Sequence, residues 1–471
     1  MNLKRTKTIA TIGPASESKD ILTELIGQGV DVLRINCSHS DEYEIVNHIK
    51  TIRNCALNAG RQVGILLDLQ GPKIRTGKLE NGAPVMLVRG QEITITSDDI
   101  PGNSCMISIP HPAVCEGFSE GDKVLLSDGM IELKIKRREG AMIIAEVIKE
   151  GLIGEQKGVN LPSVRFKMSA ITEKDIADLH TGLACGVDYI ALSFVRSAQD
   201  IRTLRRHMGD NKKNVQIIAK IEKPEAIEVI DEVLTESDGI MVARGDLGVE
   251  LPLQMIPLIQ KKLLAKARDA SKLAIVATQM MESMITQYTP TRAEVTDVAN
   301  AVLDGADACM LSGETAIGKH PVATVAIMHT ITTEVELSDT LVDRLDDWHD
   351  CGSNYTHALA ESACVLAKVI GAKAILAFTM SGRTALLLSK HKPATQIFGL
   401  TPDPLTLRRM ALYWGVRPEL TRECRGIDEM VSEAKTLLLD KKLLKKGDTV
   451  VIVAGNDPSP GGSTFIKLDH C

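Results

Sequence analysis

Eight short apolar segments recur along this chain, and each ends in polar or charged residues. The segments are 8–13, 31–36, 64–69, 188–194, 216–221, 239–244, 274–279 and 308–313. Their length and Val/Ile/Leu content are typical of strands that are buried on both faces. Most are separated by stretches long enough for one helix, which predicts βα units closed into a parallel (β/α)8 TIM barrel. Reactive side chains in such barrels gather at the carboxyl ends of the strands.

The size and composition of the chain exclude several classes of protein. With 471 residues the chain is too long for one core, so we expect roughly two to four domains. A net charge of −6 and an aromatic content of 3% argue against nucleic acid or an anionic membrane as main partner. The ten cysteines lack C-x-x-C spacing, and neither a signal peptide nor a ~20-residue membrane span is evident. We therefore expect a cytoplasmic protein with reduced thiols.

The long stretch between the third and fourth segments has a different pattern of polar and apolar residues. Residues 92–96 and 131–136 alternate polar and apolar side chains, as half-buried strands do, and glycine-containing turns surround them. This pattern predicts a small β-barrel domain over 71–166. It would be inserted into the (β/α)8 barrel formed by 1–70 and 167–338.

The last part of the chain alternates helix-like and strand-like segments. Residues 357–370 are amphipathic, and 374–379, 395–400 and 450–454 are short apolar runs. This alternation predicts a C-terminal open α/β domain over 355–471, which we expect to be regulatory.

Two carboxylates follow neighbouring strands of the predicted barrel. Glu222 and Asp246 each lie just past a strand end, and two carboxylates with open positions for water and substrate suit Mg²⁺ or Mn²⁺. The alternative is that they only pair with the nearby Lys220 and Arg244. Their shared location favours a metal site.

Lys220 lies within the apolar end of its strand, where a lysine is costly to bury without an anion. Near a metal, the natural anion is a phosphoryl group in transfer. The alternative is that Lys220 only neutralises Glu222 and Asp246. The turn at 244–248 offers backbone N–H groups that bind carboxylate or phosphate. Thr278 is either a helix N-cap or a hydroxyl that faces the pocket, and the sequence leaves both open.

More polar residues lie on the same rim, and together with those above they form recognisable motifs. The motifs are Thr11-Ile-Gly-Pro-Ala-Ser16, Arg34-Ile-Asn-Cys-Ser-His39, Asp68-Leu-Gln-Gly-Pro-Lys-Ile-Arg-Thr76, Lys157-Gly-Val-Asn160, Lys220-Ile-Glu222, Met241-Val-Ala-Arg-Gly-Asp-Leu-Gly248, Ala277-Thr-Gln-Met-Met-Glu-Ser-Met284 and Met310-Leu-Ser-Gly-Glu314. In this order they resemble the pyruvate kinase family over nearly the whole chain. No P-loop is present, so a nucleotide would bind through another architecture.

The resemblance implies a site for phosphoenolpyruvate and ADP at the mouth of a catalytic barrel, with the inserted β-barrel domain 71–166 as a lid domain over it. The implied catalytic residues are Lys220, Thr278, Arg34, Ser312 and Glu314. The implied substrate-binding residues are Arg34, Lys220, Gly245, Asp246 and Thr278. The implied nucleotide-binding residues are Pro14, Asn36, His39, Arg75 and Lys157. Glu222 and Asp246 would hold Mg²⁺, or Mn²⁺ in its place.

One departure from the family pattern concerns a monovalent cation. Family members commonly bind K⁺ through residues that match Asn36, Ser38, Asp68 and the Leu69 carbonyl, with a glutamate where this chain has Lys73. Because the Lys73 ammonium supplies the charge of that cation, we expect activity without K⁺.

A second anion site is expected in the C-terminal domain. The loop 379–384 follows a predicted strand and precedes a predicted helix, so its amides and hydroxyls suit a phosphate. The resemblance implies an effector site for a sugar phosphate or AMP, with 461–464 closing over the ligand. The implied effector residues are Thr379, Ser381, Gly382, Arg383 and Thr384. The alternative is an ordinary helix start without a ligand.

The hypothesis from the sequence is therefore transfer of a phosphoryl group from phosphoenolpyruvate to ADP by an allosteric homotetramer. A metal-dependent carbon–carbon lyase of a related barrel type is one alternative, but it explains neither Lys220 nor a lid domain. A catalytically silent binder of sugar phosphates is another, and the complete set of reactive residues counts against it.

Overall fold

The computed structural model describes residues 4–162, 169–338, 355–424, 426–454 and 465–471. Among these residues, no helix is long and apolar enough to cross a membrane.

Eight parallel strands close into a barrel in chain order, with the first strand paired to the last. The strands are Lys7–Thr11, Val32–Asn36, Gly64–Asp68, Tyr189–Leu192, Gln216–Ile221, Gly239–Ala243, Leu273–Ala277 and Ala308–Leu311. All eight predicted segments are therefore confirmed as barrel strands. Most end one or two residues earlier than expected, because the backbone turns away: Phe194 has φ 54° and Thr278 has φ 68°, a region that a strand cannot contain.

Helices surround the barrel between its strands. They are Lys19–Gly27, Glu42–Asn58, Glu173–Cys185, Ala198–His207, Pro224–Glu228, Ile230–Glu236, Arg244–Glu250, Ile256–Asp269, Arg292–Leu303, Gly313–Ala316 and Pro321–Leu337. Several begin with a capping box; at Glu173–Cys185, for instance, Thr172 and Asp175 satisfy each other's backbone N–H groups. Side chains that point outward from the strands pack against these helices, and those that point inward fill the barrel, so the strands are apolar on both faces.

The chain between the third and fourth barrel strands forms a separate β domain with its own core. Its strands are Val85–Leu87, Glu92–Thr96, Met106–Ser108, Lys123–Leu126, Ile131–Glu139, Met142–Lys149, Gly151–Ile153 and Val159–Asn160, and its one α-helix in the described part is Pro112–Glu116. Six strands form one largely antiparallel sheet, and Gly151–Ile153 pairs with Val85–Leu87 in a two-stranded ribbon. The predicted strand at 92–96 is confirmed, and the one at 131–136 is the first part of a longer strand. The boundaries of the lid domain stay a prediction, since 166/167 falls outside the described residues.

The C-terminal region is an open α/β domain, as expected. Its sheet is parallel except for the last strand, in the order Val416–Leu420, Gln396–Thr401, Ala374–Phe378, Thr449–Ala454, Phe465–His470. Its helices are Tyr355–Val369, Arg383–Lys390, Pro404–Arg409 and Ile427–Asp440. The two strands that the sequence did not predict are the two edges of the sheet. Edge strands tolerate proline and charged residues, as in Val-Arg-Pro-Glu-Leu. They therefore lack the continuous apolar run by which a buried strand is predicted from sequence.

The C-terminal domain covers the amino-terminal end of the barrel, opposite the predicted site. Tyr189, fully buried in the barrel, donates its hydroxyl proton to the carbonyl of Arg409, and Trp414 Nε1 donates to Thr6 Oγ1 at 3.2 Å. The side chains inside the barrel and those of the C-terminal domain form one continuous apolar cluster. The barrel is thus sealed at this end and open at the other.

A buried ionic cluster joins the two domains at this seam. Asp307, which is 1% exposed, pairs with Lys390 and lies 3.4 Å from the ammonium of Lys392. Burial lowers the pKa of both lysines, to about 8 for Lys392, although Asp307 opposes the shift. Asp307 also accepts the backbone N–H of Ala274 at 2.8 Å. One carboxylate therefore supports two buried cations and one strand.

We expect Asp307→Asn to lower the free energy of unfolding by about 3–5 kcal/mol, because two ammonium groups would stay buried without an anion. Urea unfolding followed by tryptophan fluorescence measures the change, since Trp414 lies within 4.8 Å of Lys392. The control is Glu146→Gln, which removes the partner of Lys136 on the lid surface and should leave the unfolding midpoint unchanged. Equal midpoints for Asp307→Asn and the control would contradict a supporting role for the cluster.

Candidate active site

The site lies at the open end of the barrel, where the strands end and the lid begins. Side chains from all eight strands and the loops after them contribute to it. At its centre is Lys220, near the end of the strand Gln216–Ile221.

Lys220 is held by three oxygen atoms. Its ammonium donates to Ser193 Oγ at 2.7 Å and lies 2.8 Å from Glu222 Oε1 and 3.2 Å from Asp68 Oδ1. Burial alone would lower the pKa of Lys220, but the charges of Asp68 and Glu222 outweigh it and raise the pKa above its ordinary value. Lys220 is therefore a fixed positive charge, unable to act as a base near neutral pH.

Asp68 orients a second cation beside the first. Its Oδ2 lies 2.7 Å from both Nε and Nη2 of Arg34, whose Nη1 also donates to Thr11 Oγ1 at 3.0 Å. Burial would raise the pKa of Asp68, but Lys220 and Arg34 lower it, so the carboxylate is charged. Asp68 thus fixes the positions of Arg34 and Lys220 relative to each other. Its membership of a monovalent cation site stays a prediction, as does that of Leu69, whose carbonyl accepts the Ser193 hydroxyl at 2.7 Å.

Glu222 is held by an unusual turn of the backbone. Its Oε2 accepts the backbone N–H of Phe194 at 2.9 Å, and Phe194 has φ 54°. Burial raises the pKa of Glu222 and the charge of Asp246 adds to the increase, while Lys220 opposes it. A buried carboxylate whose pKa is raised by a neighbouring carboxylate is stabilised by a cation placed between the two.

The turn at 244–248 forms the start of a short helix, Arg244–Glu250, directly after the sixth strand. The backbone N–H of Gly245 donates to Thr278 Oγ1 at 2.7 Å, and the Thr278 hydroxyl donates to the Ala277 carbonyl at 2.6 Å. The next helical turn begins at Glu282, so Thr278 is not its N-cap. Of the two possibilities left open by the sequence, the structure thus rejects the cap.

Arg244 has a role that the sequence did not reveal. Its guanidinium donates to Asp297 Oδ1 at 2.6 Å and to the Thr278 carbonyl at 2.8 Å. It therefore braces Thr278 in its left-handed conformation and does not pair with Glu222 or Asp246. The structure contains the ion pair of Lys220 with Glu222, while the pairing expected for Arg244 is wrong because Arg244 pairs with Asp297. Asp297 is 51 positions past Asp246 in the chain, and only the fold brings it here.

Ser312 and Glu314 lie at the end of the eighth strand. The Glu314 carboxylate is fully buried and accepts the backbone N–H groups of Ser312 at 2.7 Å and Met281 at 3.1 Å. Ser312 Oγ is buried and has no hydrogen-bond partner among the described residues. The hydrogen bonds of the described residues include none between Glu314 and Thr278. The proton relay through these residues stays a prediction.

Two of the predicted nucleotide-binding residues, His39 and Arg75, interact electrostatically. Burial lowers the pKa of His39, and the positive charges of Lys73, Arg75 and Arg34 lower it further. Arg75 Nη1 donates to the carbonyl of Gln156 at 3.0 Å.

Lys157, Asn36 and Pro14 complete this set. Lys157 is exposed on the second connection between lid and barrel, and its backbone pairs with Thr76. Pro14 is exposed on the rim, and Asn36 Oδ1 accepts the backbone N–H of Ser38 at 3.2 Å. A pocket lies between the lid and the barrel here. The residues that line it include Lys73, Asp128, Asn160, Phe194, Arg196, Lys223 and Asp246.

The predicted effector residues lie in the C-terminal domain, away from this site. Thr379 Oγ1 accepts the backbone N–H of Gly382 at 2.9 Å, and Gly382 has φ 85° at the start of the helix Arg383–Lys390. Arg383 lies 3.2 Å from His357 Nε2, while Ser381 is exposed and Thr384 half-buried. The predicted closing loop, 461–464, lies outside the described residues.

The barrel mouth suits a divalent cation as an open site. Among the described residues, no group of three or more His, Cys, Asp or Glu side chains forms a metal cluster. Glu222 and Asp246 would supply two hard oxygen ligands, which would leave positions for water and a phosphorylated substrate.

Comparisons with known proteins agree with this architecture. The family model described as "Pyruvate kinase, barrel domain" matches residues 3–325, and "Pyruvate kinase, alpha/beta domain" matches 357–468. The chain is 41% identical over 475 residues to a pyruvate kinase of Sporosarcina psychrophila, covering 99% of this chain and 80% of the relative. It is 38% identical over 473 residues to one of Clostridium perfringens, covering 99% and 100%. A crystal structure of a pyruvate kinase from Cryptosporidium parvum superposes with a TM-score of 0.92 at 35% identity, covering 99% of this chain and 96% of that one.

If Glu222 and Asp246 are the metal ligands, Glu222→Gln and Asp246→Asn should each weaken Mn²⁺ binding by about tenfold or more. Loss of even an outer partner of a metal commonly costs that much. Titration of Mn²⁺ by electron paramagnetic resonance measures the affinity without turnover. Glu146→Gln is the matched control and should bind Mn²⁺ as the unchanged protein does. Unchanged Mn²⁺ affinity in both site variants would place the metal elsewhere.

Proposed function

The chain belongs to the pyruvate kinase family, and we propose that the barrel mouth described above is where it transfers a phosphoryl group from phosphoenolpyruvate to ADP. The products are pyruvate and ATP. The observation that carries this assignment is Lys220, a buried and permanently charged ammonium beside two carboxylates.

Positioning and charge neutralisation are the main requirements of phosphoryl transfer. In the reaction the bond from phosphorus to the enol oxygen breaks, and a bond to an oxygen of the ADP β-phosphate forms. Lys220 and Arg34 face the phosphoryl group and balance its charge, and Asp68 holds both at fixed places. Mg²⁺ on Glu222 and Asp246, or Mn²⁺ in its place, would supply further neutralisation.

The substrate carboxylate is proposed to bind at Gly245, Asp246 and Thr278. Gly245 N–H donates a hydrogen bond to Thr278 Oγ1 at 2.7 Å. The two groups proposed to contact the carboxylate are therefore held in fixed positions before it binds. The enolate that remains after transfer must gain a proton at carbon to become pyruvate. Thr278 is proposed to lie on that proton path, with Ser312 and Glu314 behind it. The unpaired Ser312 hydroxyl supports this role, because a buried hydroxyl without a partner is available to a water.

The nucleotide is proposed to bind at the seam between lid and barrel. Arg75 and Lys157 would contact its phosphates, and Pro14, Asn36 and His39 would lie beside the rest of it. Burial lowers the pKa of His39 and the positive charges of Lys73, Arg75 and Arg34 lower it further, and those charges support an anion here. A lid above the site excludes water that would otherwise hydrolyse the phosphoryl group.

We further propose a cytoplasmic homotetramer with an effector loop at 379–384. The loop combines a helix start with hydroxyl groups and Arg383, which suits the phosphate of a sugar phosphate or AMP.

Lys220→Met should lower the turnover number by roughly 10² or more, because one preorganised charge is lost from the transition state. A coupled assay for pyruvate from phosphoenolpyruvate and ADP, with and without Mg²⁺, measures the effect. Lys266→Met is the control, since Lys266 pairs with Asp231 on an outer helix and should keep full activity. Near-normal turnover in Lys220→Met would remove Lys220 from the mechanism. Absence of pyruvate with the unchanged protein would overturn the proposed function.

Activity should not require K⁺, because Lys73 contributes a positive charge at the place of the expected monovalent cation. The measurement is the coupled assay in buffer free of sodium and potassium, before and after addition of KCl. Lys73→Glu is the companion variant and should make activity depend on KCl. Strict dependence of the unchanged protein on KCl would contradict the proposal.

A further inference from the structure

The two connections between lid and barrel are paired with each other. Arg75 and Gly158 form an isolated antiparallel bridge, and Thr76 N–H donates to the Lys157 carbonyl at 2.9 Å. Lys157 N–H in turn donates to Thr76 Oγ1 at 3.0 Å. Arg75 and Lys157 thus move as one unit, and their place over the barrel depends on where this unit is anchored.

The second connection contacts the barrel through Asn160. Its Nδ2 donates to Glu250 Oε1 at 3.2 Å, and Lys223 Nζ lies 2.5 Å from the same oxygen. Glu250 is only 8% exposed, so its charge is shielded from water and its two partners are worth more than on a surface.

The barrel side of this contact is tied to both proposed metal ligands. Lys223 directly follows Glu222, and Glu250 is the last residue of the helix that begins at Arg244 and contains Asp246. The Lys223–Glu250 pair therefore joins the end of the fifth strand to this short helix. A shift of either element would change the separation of the two carboxylates.

The first connection contacts the same group of residues through Phe194. A Cβ at Gly71 would lie 2.8 Å from Phe194 Cδ2, so Gly71 packs directly against the ring. Lys223 Nζ lies 6.0 Å from the centre of that ring, and Phe194 N–H binds Glu222. Both connections of the lid thus meet the barrel around Lys223.

We propose that Asn160, Glu250 and Lys223 form a latch that positions the lid over the metal-binding carboxylates. The latch fixes the positions at which Arg75 and Lys157 hold the nucleotide. It also excludes water from the space between the closed lid and the barrel. This inference rests on the proposed function, and all three residues are positioning residues. Loss of the Asn160 contact alone should act on ADP use and on water exclusion, with the binding of phosphoenolpyruvate and metal left intact.

Asn160→Ala is the most selective test, because Glu250 keeps its pairing with Lys223 and the buried charge stays balanced. We expect kcat/KM for ADP to fall about tenfold or more, the usual scale for a hydrogen bond to a charged group. The KM for phosphoenolpyruvate and the Mn²⁺ affinity should not change. Slow release of pyruvate without ADP, which reports hydrolysis under an open lid, should rise relative to transfer.

Two further variants separate a latch from a general structural effect. Lys123→Met removes an ion pair with Glu132 inside the lid and should leave all these quantities unchanged. In a Glu250→Ala background, Asn160→Ala should have no additional effect, because its acceptor is absent. The two substitutions should therefore be far from additive.

Each outcome decides between the alternatives. If the unchanged protein makes no pyruvate, the proposed function fails before the latch is tested. If it is active and Asn160→Ala keeps its kcat/KM for ADP, the latch is refuted. A parallel loss of Mn²⁺ and phosphoenolpyruvate affinity, or additive effects with Glu250→Ala, would also refute it in favour of general destabilisation.

Discussion

The structure depends on the balance of buried charge at the barrel mouth. Two cations, Lys220 and Arg34, stand among three carboxylates, Asp68, Glu222 and Asp246. A buried charge is costly unless it is paired, so Lys220, Arg34, Asp68 and Glu222 hold one another in place, with Asp246 beside them. The excess of one negative charge favours a divalent cation, and a bound cation in turn favours a phosphorylated anion. The same balance that makes the site foldable therefore prepares it for its substrates.

The two other domains keep this arrangement in place from opposite ends. At the amino-terminal end, the C-terminal domain seals the barrel with Tyr189, Trp414 and the Asp307 cluster, so the strands have a rigid base. At the carboxyl end, the lid domain contacts the barrel through the hydrogen bond from Asn160 to Glu250. The fifth strand connects the two regions, since Gln216 at its start donates to the Tyr413 hydroxyl at 3.0 Å and Lys220 lies near its end.

Much of the fold could be predicted because burial leaves a pattern in the sequence. Strands covered on both faces must be apolar throughout, and all eight of the barrel were visible for that reason. The edge strand Val416–Leu420 lacks that requirement and was missed. Strand ends were placed too late where Phe194 and Thr278 adopt left-handed backbone conformations, because no local residue preference announces them.

The sequence by itself determined the fold class and the types of reactive group at each strand end, since these follow from local apolar pattern and motif. Only the tertiary structure decided which groups meet. Asp68 holds Arg34 and Lys220, Arg244 turns away to Asp297, and Asn160 finds Glu250 from 90 residues away. Such pairings depend on how the closed barrel and its lid place distant residues in space. The number of residues between two positions does not determine the distance between their side chains.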